Sequence, residues 1–313
     1  MSDNVLVLNA GSSSIKFGLF DIGPAEPELR CKGVLDEQEK APRIVVTDPS
    51  GKQLFEKRRS CDETTDHGLL ADIFSWVDDY LEADPLVAVG HRVVHGGRDF
   101  SSPIALDERT ITALDALTPL APLHQPRCLA PVRAVQSLRP GLAQIACFDT
   151  AFHHGLTPPA SRFAIPRSLE ERGIRRYGFH GLSFEYVADR LTTLAPTQTR
   201  MVIAHLGNGA SLCALQNGKS ADTTMGLTPL DGLVMGTRCG DIDASVVFHL
   251  MRQGGYTVDE MDTMFNRESG VKAMIGSSDM RDLDDLMAAH DPVGQRCWDV
   301  YVHRVKRYLG AYM

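Results

Sequence analysis

The hydrophobic pattern opens with Val5-Leu-Val-Leu8, four apolar residues in a row, and returns at Ile15-Lys-Phe-Gly-Leu-Phe20 after the small-residue stretch Ala10-Gly-Ser-Ser-Ser14. Two runs rich in β-formers around such a turn predict a strand-turn-strand hairpin. An unbroken apolar run suits a strand buried on both faces, so the first strand is expected inside a central sheet with its turn at the sheet edge, a common place for a ligand. Leu69, Leu70, Ile73, Phe74, Val77 and Leu81 recur at helical spacing and predict an amphipathic helix over 65–81. Residues 86–94 and 142–148 read as further strands; the first leads through His91 and Arg92 to His95 and Gly96-Gly97, and the second ends at Asp149. Between them, 118–126 contains Pro119, Pro122 and Pro126, which lack an amide donor and restrict their predecessors. That stretch is expected as a rigid loop carrying His124.

The second half opens as the first does. Met201-Val-Ile-Ala-His-Leu-Gly-Asn-Gly-Ala-Ser211 aligns without gaps on Val5-Leu-Val-Leu-Asn-Ala-Gly-Ser-Ser-Ser-Ile15, placing His205 on Asn9 and Gly207 on Gly11. The match points to an internal duplication, with coincidence between two strand-turn-strand units as the alternative. Helical spacing recurs at 246–251, at 258–265 and in the last segment, where Trp298, Val302, Val305 and Leu309 fall on one face.

With 313 residues, 43% of them apolar, the chain exceeds what one small core organises, and two domains are expected, 1–150 and 151–313. The 32 basic and 40 acidic side chains leave a formal charge of −8, which opposes non-specific binding to nucleic acid or an anionic membrane. Phosphate-binding groups must then be local. Seven cysteines without a C-x-x-C pair fit neither a disulfide framework nor a zinc ribbon and favour a reducing cytoplasm. The start MSDNVLVLNAGSSS has no basic n-region, and no apolar run nears the roughly 20 residues of a membrane helix, so a soluble, unexported protein is expected.

Several segments carry candidate chemistry. Asn9-Ala-Gly-Ser-Ser-Ser-Ile-Lys16 joins a small-residue turn, the hydroxyls of Ser12 and Ser14 and one lysine, as a phosphate-cradling loop requires. It lacks the Walker A spacing and is followed by a strand, and a serine-rich turn with no ligand is the alternative. His205-Leu-Gly-Asn-Gly209 is a second turn of the same kind, so a duplicated protein would offer two phosphate loops to one polyphosphate. Arg92 and Arg238 accompany these turns; a guanidinium forks two donors toward a carboxylate or phosphoryl group, and a surface ion pair is the competing reading for each. Asp149 can bind magnesium through water or accept a proton. His153 and His154 are neighbours without a third ligand at metal spacing and are read as structural. His180, in Tyr177-Gly-Phe-His-Gly-Leu182 before a helix starting near 183, suits a donor to an anion, a structural histidine being the competitor. Neither G-x-S-x-G nor H-E-x-x-H occurs.

The segments VLVLNAGSSSIKF (5–17), GHRVVHGG (90–97), FDTAFH (148–153), RRYGFHGLS (175–183), AHLGNGAS (204–211), TPLDGLVMGTR (228–238) and SSDMRD (277–282), in this order over nearly the whole chain, resemble the acetate kinase family. The resemblance implies an α/β protein of the acetate and sugar kinase/Hsp70/actin superfamily, with duplicated ribonuclease H-like, actin-like halves forming two domains with a cleft. ATP and ADP are the implied co-substrates, Mg²⁺ or Mn²⁺ the metal, acetate and acetyl phosphate the carboxylate partners, and a homodimer the assembly. By this resemblance Asn9 and Asp149 belong to the metal site, Asp149 also being the catalytic aspartate, and Lys16 with Ser12 and Ser14 lies on the nucleotide side. Arg92 resembles the substrate arginine, while His180 and Arg238 resemble the groups that stabilise the transferring phosphoryl. His205, Leu206, Gly207, Asn208 and Gly209 match the phosphate loop, and Asp279, Met280 and Arg281 a nucleotide-side segment. Val94, Leu123, Phe179 and Pro229 match an apolar pocket for the substrate methyl group.

The implied reaction is direct in-line transfer of the γ-phosphoryl group to a carboxylate oxygen. That oxygen is already anionic, so positioning and charge neutralisation outweigh proton removal, and Asp149 is better assigned to magnesium or water orientation. Family members continue beyond the 299–308 helix into a strand, a glycine-rich nucleotide loop and a late glutamate, so the second domain is expected to be incomplete in this sequence. Cys239 and Ala244 stand where the family usually has serine and proline. Propionate is the nearest alternative substrate; a catalytically silent relative and an actin-like ATPase without a carboxylate substrate are the other readings.

Overall fold

The apolar runs at the start of the chain form β1 (Asn4–Ala10) and β2 (Ser14–Asp21), an antiparallel hairpin in which Asn9 lies opposite Lys16. β3 (Glu28–Asp36), β4 (Arg43–Thr47) and β5 (Gln53–Arg58) extend it outward as an antiparallel meander. After helix α1 (Asp66–Leu81), β6 (Leu86–Val93) pairs parallel with the other side of β1. The two-residue β7 (Ile104–Ala105), α2 (Glu108–Asp115) and α3 (Gln125–Leu138) precede β8 (Ala143–Phe148), which lies parallel to β6. The resulting order is β5-β4-β3-β2-β1-β6-β8-β7. Because β1, β6 and β8 are parallel, their C-terminal ends share one edge, where Asn9, Arg92 and Asp149 are found. This computed structural model describes residues 2–11, 14–23, 26–36, 42–59 and 66–313. The chain divides into two compact units, Met1–Ala151 and Phe152–Met313.

In the first unit Leu6, Leu8, Ile15, Phe17 and Leu19 pack against Leu70, Ile73, Phe74 and Val77 of α1. β1 is covered on one face only: Leu6 and Leu8 are buried, whereas Val7 is 38% exposed. The expectation of a strand buried on both faces therefore fails within this unit, because its helical core lies on a single face of the sheet. The proline-rich stretch forms a 3₁₀ turn, Thr118–Leu120, as its prolines require, but α3 already begins at Gln125. Pro126 fits the first helical turn, where no amide donor is needed.

The second unit carries two short helices, α4 (Pro158–Ser161) and α5 (Arg167–Glu171), and then α6 (Gly181–Leu194). β9 (Arg200–Leu206), β10 (Ala210–Gln216) and β11 (Lys219–Thr223) follow as an antiparallel sheet in the order β11-β10-β9, the counterpart of β3-β2-β1. The two hairpins differ at the turn. Ala10 pairs with Ile15, but Leu206 pairs with Ala210, so the second turn is one residue tighter and Ser211, not its successor, lies opposite His205. Phe184 and Ala188 of α6 pack on Ile203, Cys213 and Leu215.

After the irregular segment 224–243 the chain is mainly helical: α7 (Ala244–His249), which runs into a π-helical turn at Leu250–Gly254, α8 (Val258–Arg267), α9 (Gly270–Ile275), α10 (Met280–Ala288) and α11 (Pro292–Tyr312). Val234, Val271, Leu283 and Cys297 form their core, with Tyr301 packed against it. On α11 Gly294 and Cys297 are buried and Tyr301 packs against this core, while of the apolar stripe Val302 and Val305 are half-buried and Trp298 and Leu309 are each 37% exposed. Among the described residues no helix is long and apolar enough to cross a membrane.

Candidate active site

In the first unit the C-terminal strand ends bring Asn9, Arg92 and Asp149 together. The backbone amide of Asp149 donates to Val93 O at 3.1 Å, which continues the β6–β8 pairing by one residue and fixes the carboxylate beside Arg92. Arg92 Nε donates to both carboxylate oxygens at 3.1 Å, Nη2 donates to Asp149 Oδ2, and Nη1 reaches Asn9 Oδ1 at 3.5 Å. Burial alone would lower the pKa of Arg92, but the charge and hydrogen bonds of Asp149 outweigh it, and the guanidinium holds its proton more firmly than usual. Lys16, opposite Asn9 on β2, is exposed.

The loop after β6 is held from several sides. Gly96 N donates to Thr150 Oγ1 at 3.0 Å, Gly97 N donates to His95 Nδ1 at 2.8 Å, and the buried Gln125 side chain bonds both backbone groups of His95. A Cβ on Gly96 would stand 2.3 Å from Phe100 O, so only glycine fits. Val94 on this loop is buried, and Leu123 is half-buried. Gly11 N donates to Ser14 O at 2.8 Å, and its carbonyl accepts from Arg127 Nε at 3.0 Å, an arginine the sequence pattern did not single out. Ser12 lies outside the described residues.

The second unit assembles a separate group. His180 precedes α6 with φ 61° and ψ 18°, a left-handed conformation that costs a non-glycine residue on the order of 1–3 kcal/mol and points to a functional constraint. Its ring stacks on that of His205, with centroids 4.0 Å apart. His180 Nδ1 is 2.8 Å from Ser211 Oγ, and His205 Nδ1 is 3.0 Å from Ser183 Oγ. A Cβ on Gly209 would lie 3.4 Å from both His180 Nε2 and Arg238 Nη1, so the glycine turn admits these two groups side by side. Arg238 Nη1 also donates to Pro229 O at 3.0 Å, and Gly236 N donates to Asn208 O at 3.0 Å, which ties the arginine's loop to the turn. Leu206 is exposed, Phe179 is buried and Pro229 is half-buried.

Asp279, Met280 and Arg281 form a further group at the start of α10. Asp279 caps the helix through Arg281 N at 2.9 Å, and the Arg281 side chain draws the carboxyl down to about 2. His153 has the structural surroundings expected of it: it is buried, with Nδ1 2.8 Å from Ser220 Oγ and Nε2 3.1 Å from Phe179 O.

The sequence profile of the acetokinase family matches residues 4–313. The chain belongs to the acetokinase family. It is 44% identical to the acetate kinase of Rhodopseudomonas palustris strain TIE-1 over 317 aligned residues, covering 99% of this chain and 79% of that protein. With the Streptomyces coelicolor acetate kinase it shares 43% identity, over 99% of this chain and 77% of that one. Among solved structures, a propionate kinase from Francisella tularensis superposes with a TM-score of 0.92 at 35% identity, covering 100% of this chain and 80% of that chain. The Porphyromonas gingivalis acetate kinase gives 0.86 at 35% identity, over 99% and 79%. The α/β actin-like architecture expected of an acetokinase agrees with these superpositions.

Set against this acetokinase fold, the residues the sequence reading missed are partners rather than principals. Ser211 and Ser183 close the quoted segments AHLGNGAS and RRYGFHGLS, yet only the strand register and the helix start show that each meets a histidine. The family's magnesium can be tested against the first group. No cluster of three or more His, Cys, Asp or Glu side chains among the described residues could hold a metal. Magnesium, however, is commonly held by one or two protein oxygens together with water and phosphate oxygens, and Asn9 with Asp149 is such a hard-oxygen set. The donors present therefore fit the ion.

Proposed function

We propose that this acetokinase reversibly transfers the γ-phosphoryl group of ATP to acetate, giving acetyl phosphate and ADP by direct in-line displacement. The observation that carries the reading is the meeting of His180 and Arg238 at the Gly207–Gly209 turn in a member of this family. Three donor types, imidazole, guanidinium and backbone amide, suit the equatorial oxygens of a transferring phosphoryl group.

Each unit has its own task. In the first, Asp149 fixes Arg92 through its Nε and one terminal nitrogen, which leaves Nη1 toward Asn9 as the edge available to a substrate carboxylate. Val94 and Leu123 are assigned to the acetate methyl group, as are Phe179 and Pro229. In the second unit, His205 to Gly209 are assigned to the nucleotide phosphates, and His180 and Arg238 stabilise the charge that develops on the phosphoryl group. Lys16 and Ser14, with Ser12, and the segment Asp279 to Arg281 are assigned to the nucleotide side. Mg²⁺ held by Asn9 and Asp149 would supply charge neutralisation on the phosphate oxygens. Acetate attacks as an anion, so Asp149 is required for position rather than for proton removal.

The test is acetyl phosphate formation from ATP, Mg²⁺ and acetate, trapped as the hydroxamate. Arg238→Ala is expected to lower kcat by roughly 10²–10³, the usual effect of deleting one preorganised charge-stabilising donor; an unchanged hydroxamate yield would reject the assignment. Propionate is the second reading, supported by the Francisella tularensis superposition. One methylene is worth about 1–3 kcal/mol in an apolar pocket, so the ratio of kcat/KM for the two acids decides. We extend the proposal to a homodimer in a reducing cytoplasm. The unbridged Cys31, Cys128, Cys147, Cys213, Cys239 and Cys297 support the compartment, and the exposed Phe248, Tyr256 and Val258 provide apolar surface for a partner copy.

A further inference from the structure

The stacked rings of His180 and His205 carry an inference that rests on the functional reading above and deepens it. The rings are 21° from parallel at 4.0 Å, so protonating both would set two positive charges face to face. Charging both rings at once is therefore disfavoured, and a neutral imidazole has one donor and one acceptor nitrogen. Which nitrogen donates is decided by the partner of the other. Here the two Nδ1 atoms have crossed partners: His180 meets Ser211 of β10, which lies opposite His205, and His205 meets Ser183 of α6, three residues after His180. Ser211 is fully buried, so its hydroxyl orientation is set by the protein rather than by bulk water.

Both Nε2 atoms face the glycine turn. Cβ atoms on Gly209 and Gly207 would lie 3.4 Å from His180 Nε2 and 3.6 Å from His205 Nε2, respectively. Arg238 Nη1 is the charged group on the same side at Gly209, and Phe184 meets the His205 ring edge-on. An anion at this turn is met by a hydrogen if the serine donates to Nδ1, and by a lone pair if Nδ1–H donates to the serine. We propose that Ser211 and Ser183 are positioning residues that donate to Nδ1 of His180 and His205, so that each ring in its neutral form presents Nε2–H to a phosphoryl group at Gly207–Gly209.

The experiment uses the whole chain labelled with ¹⁵N-histidine and read by long-range ¹H–¹⁵N NMR at pH 8, with His180→Asn and His205→Asn assigning the signals. The expected spectrum has unprotonated Nδ1 and protonated Nε2 in both rings. Ser183→Ala and Ser211→Ala are expected to shift their own ring toward the mixed tautomer and to lower kcat for acetyl phosphate formation about tenfold or more, with KM for acetate nearly unchanged. Ser183→Thr, which keeps the hydroxyl, restores both. Ser183 is half-buried in the first turn of α6, so its alanine variant remains decisive even if Ser211→Ala fails to fold. An Nδ1–H signal in the unsubstituted protein, or an unchanged kcat in Ser183→Ala, overturns the proposal. Nε2–H rings in a chain without kinase activity would support the tautomer assignment and reject the functional reading alone.

Discussion

Arg92 and Asp149 form a largely buried ion pair, and pairs of this kind contribute more to geometry than to net stability, because desolvation offsets much of the attraction. Buried neutral histidines nearby behave differently. Burial pushes His91 down to about 4, against the opposing hydrogen bond to Gln144 Oε1 at 2.8 Å, and burial also pushes His95 down to about 4. In the unfolded chain both titrate near the ordinary histidine value of about 6.5, so between that pH and 4 the unfolded state binds more protons. Their stabilising contribution is therefore complete above about pH 6.5 and is lost as the pH falls. At pH 5 the loss is about 2 kcal/mol for each ring. Thermal unfolding at pH 7 and pH 5 should show the drop. His91→Gln, whose amide can still donate to Gln144, should make that drop smaller, and an equal drop in the variant would exclude His91 as a cause.

At the scale of elements, the contact between α10 and α11 depends on the absence of a side chain. A Cβ on Gly294 would stand 2.6 Å from Leu286 Cβ and 3.2 Å from Leu286 C. Gly→Ala in a helix is ordinarily favourable by about 1 kcal/mol, but overpacking a tight contact costs about 1–3 kcal/mol. Gly294→Ala is expected to be destabilising on balance, with a lower urea midpoint, and a raised midpoint would show that the helices can separate freely. This contact also explains why part of α11 was illegible. Apolar spacing marks Trp298, Val302, Val305 and Leu309, of which the valines are half-buried, but the helix also turns Gly294, Cys297 and Tyr301 inward and directs Arg304 and Tyr308 to Asp241, a polar anchor that a hydrophobic count cannot register. The first hairpin and the strands ending at Arg92 and Asp149 were legible because their apolar runs coincide with paired backbone. The one-sided covering of β1 was not, since Val5 and Val7 read like Leu6 and Leu8 until the helices are in place. The serine partners of His180 and His205 depend on register and on the start of α6, neither of which spacing specifies.

Across the whole molecule, one carboxylate collects much of the second unit. Asp241 Oδ1 accepts from Tyr308 Oη at 2.6 Å and from Gly232 N at 3.0 Å, Arg307 Nη2 lies 3.0 Å from Oδ2, and Arg304 Nη1 donates to the Asp241 carbonyl at 3.1 Å. Neighbouring Asp231 lies 3.3 Å from Arg176 Nη1, which also donates to the carbonyls of Thr223, Thr224 and Met225. Burial raises the pKa of Asp231 and the charge of Asp241 adds to the rise, while Arg176 acts against it. α11 is thereby tied to the loop that carries Arg238. Tyr308→Phe removes one hydrogen bond to a charged acceptor and is expected to cost about 2 kcal/mol, seen as a lower urea midpoint with an unchanged slope; an unshifted midpoint would show that Gly232 N and the arginines hold Asp241 without the tyrosine. The duplicated sheets lead to a different point, through the turn that is one residue tighter in the second hairpin. A gapless alignment equates Ser211 with Ile15, but the pairing across each hairpin equates it with Lys16. The two copies thus share a place in space, the residue facing the last polar side chain of the leading strand, and not a place in the text. Ancestry in this protein is better traced through who stands opposite whom, and a swap of equivalent residues between the halves has to be designed on that symmetry.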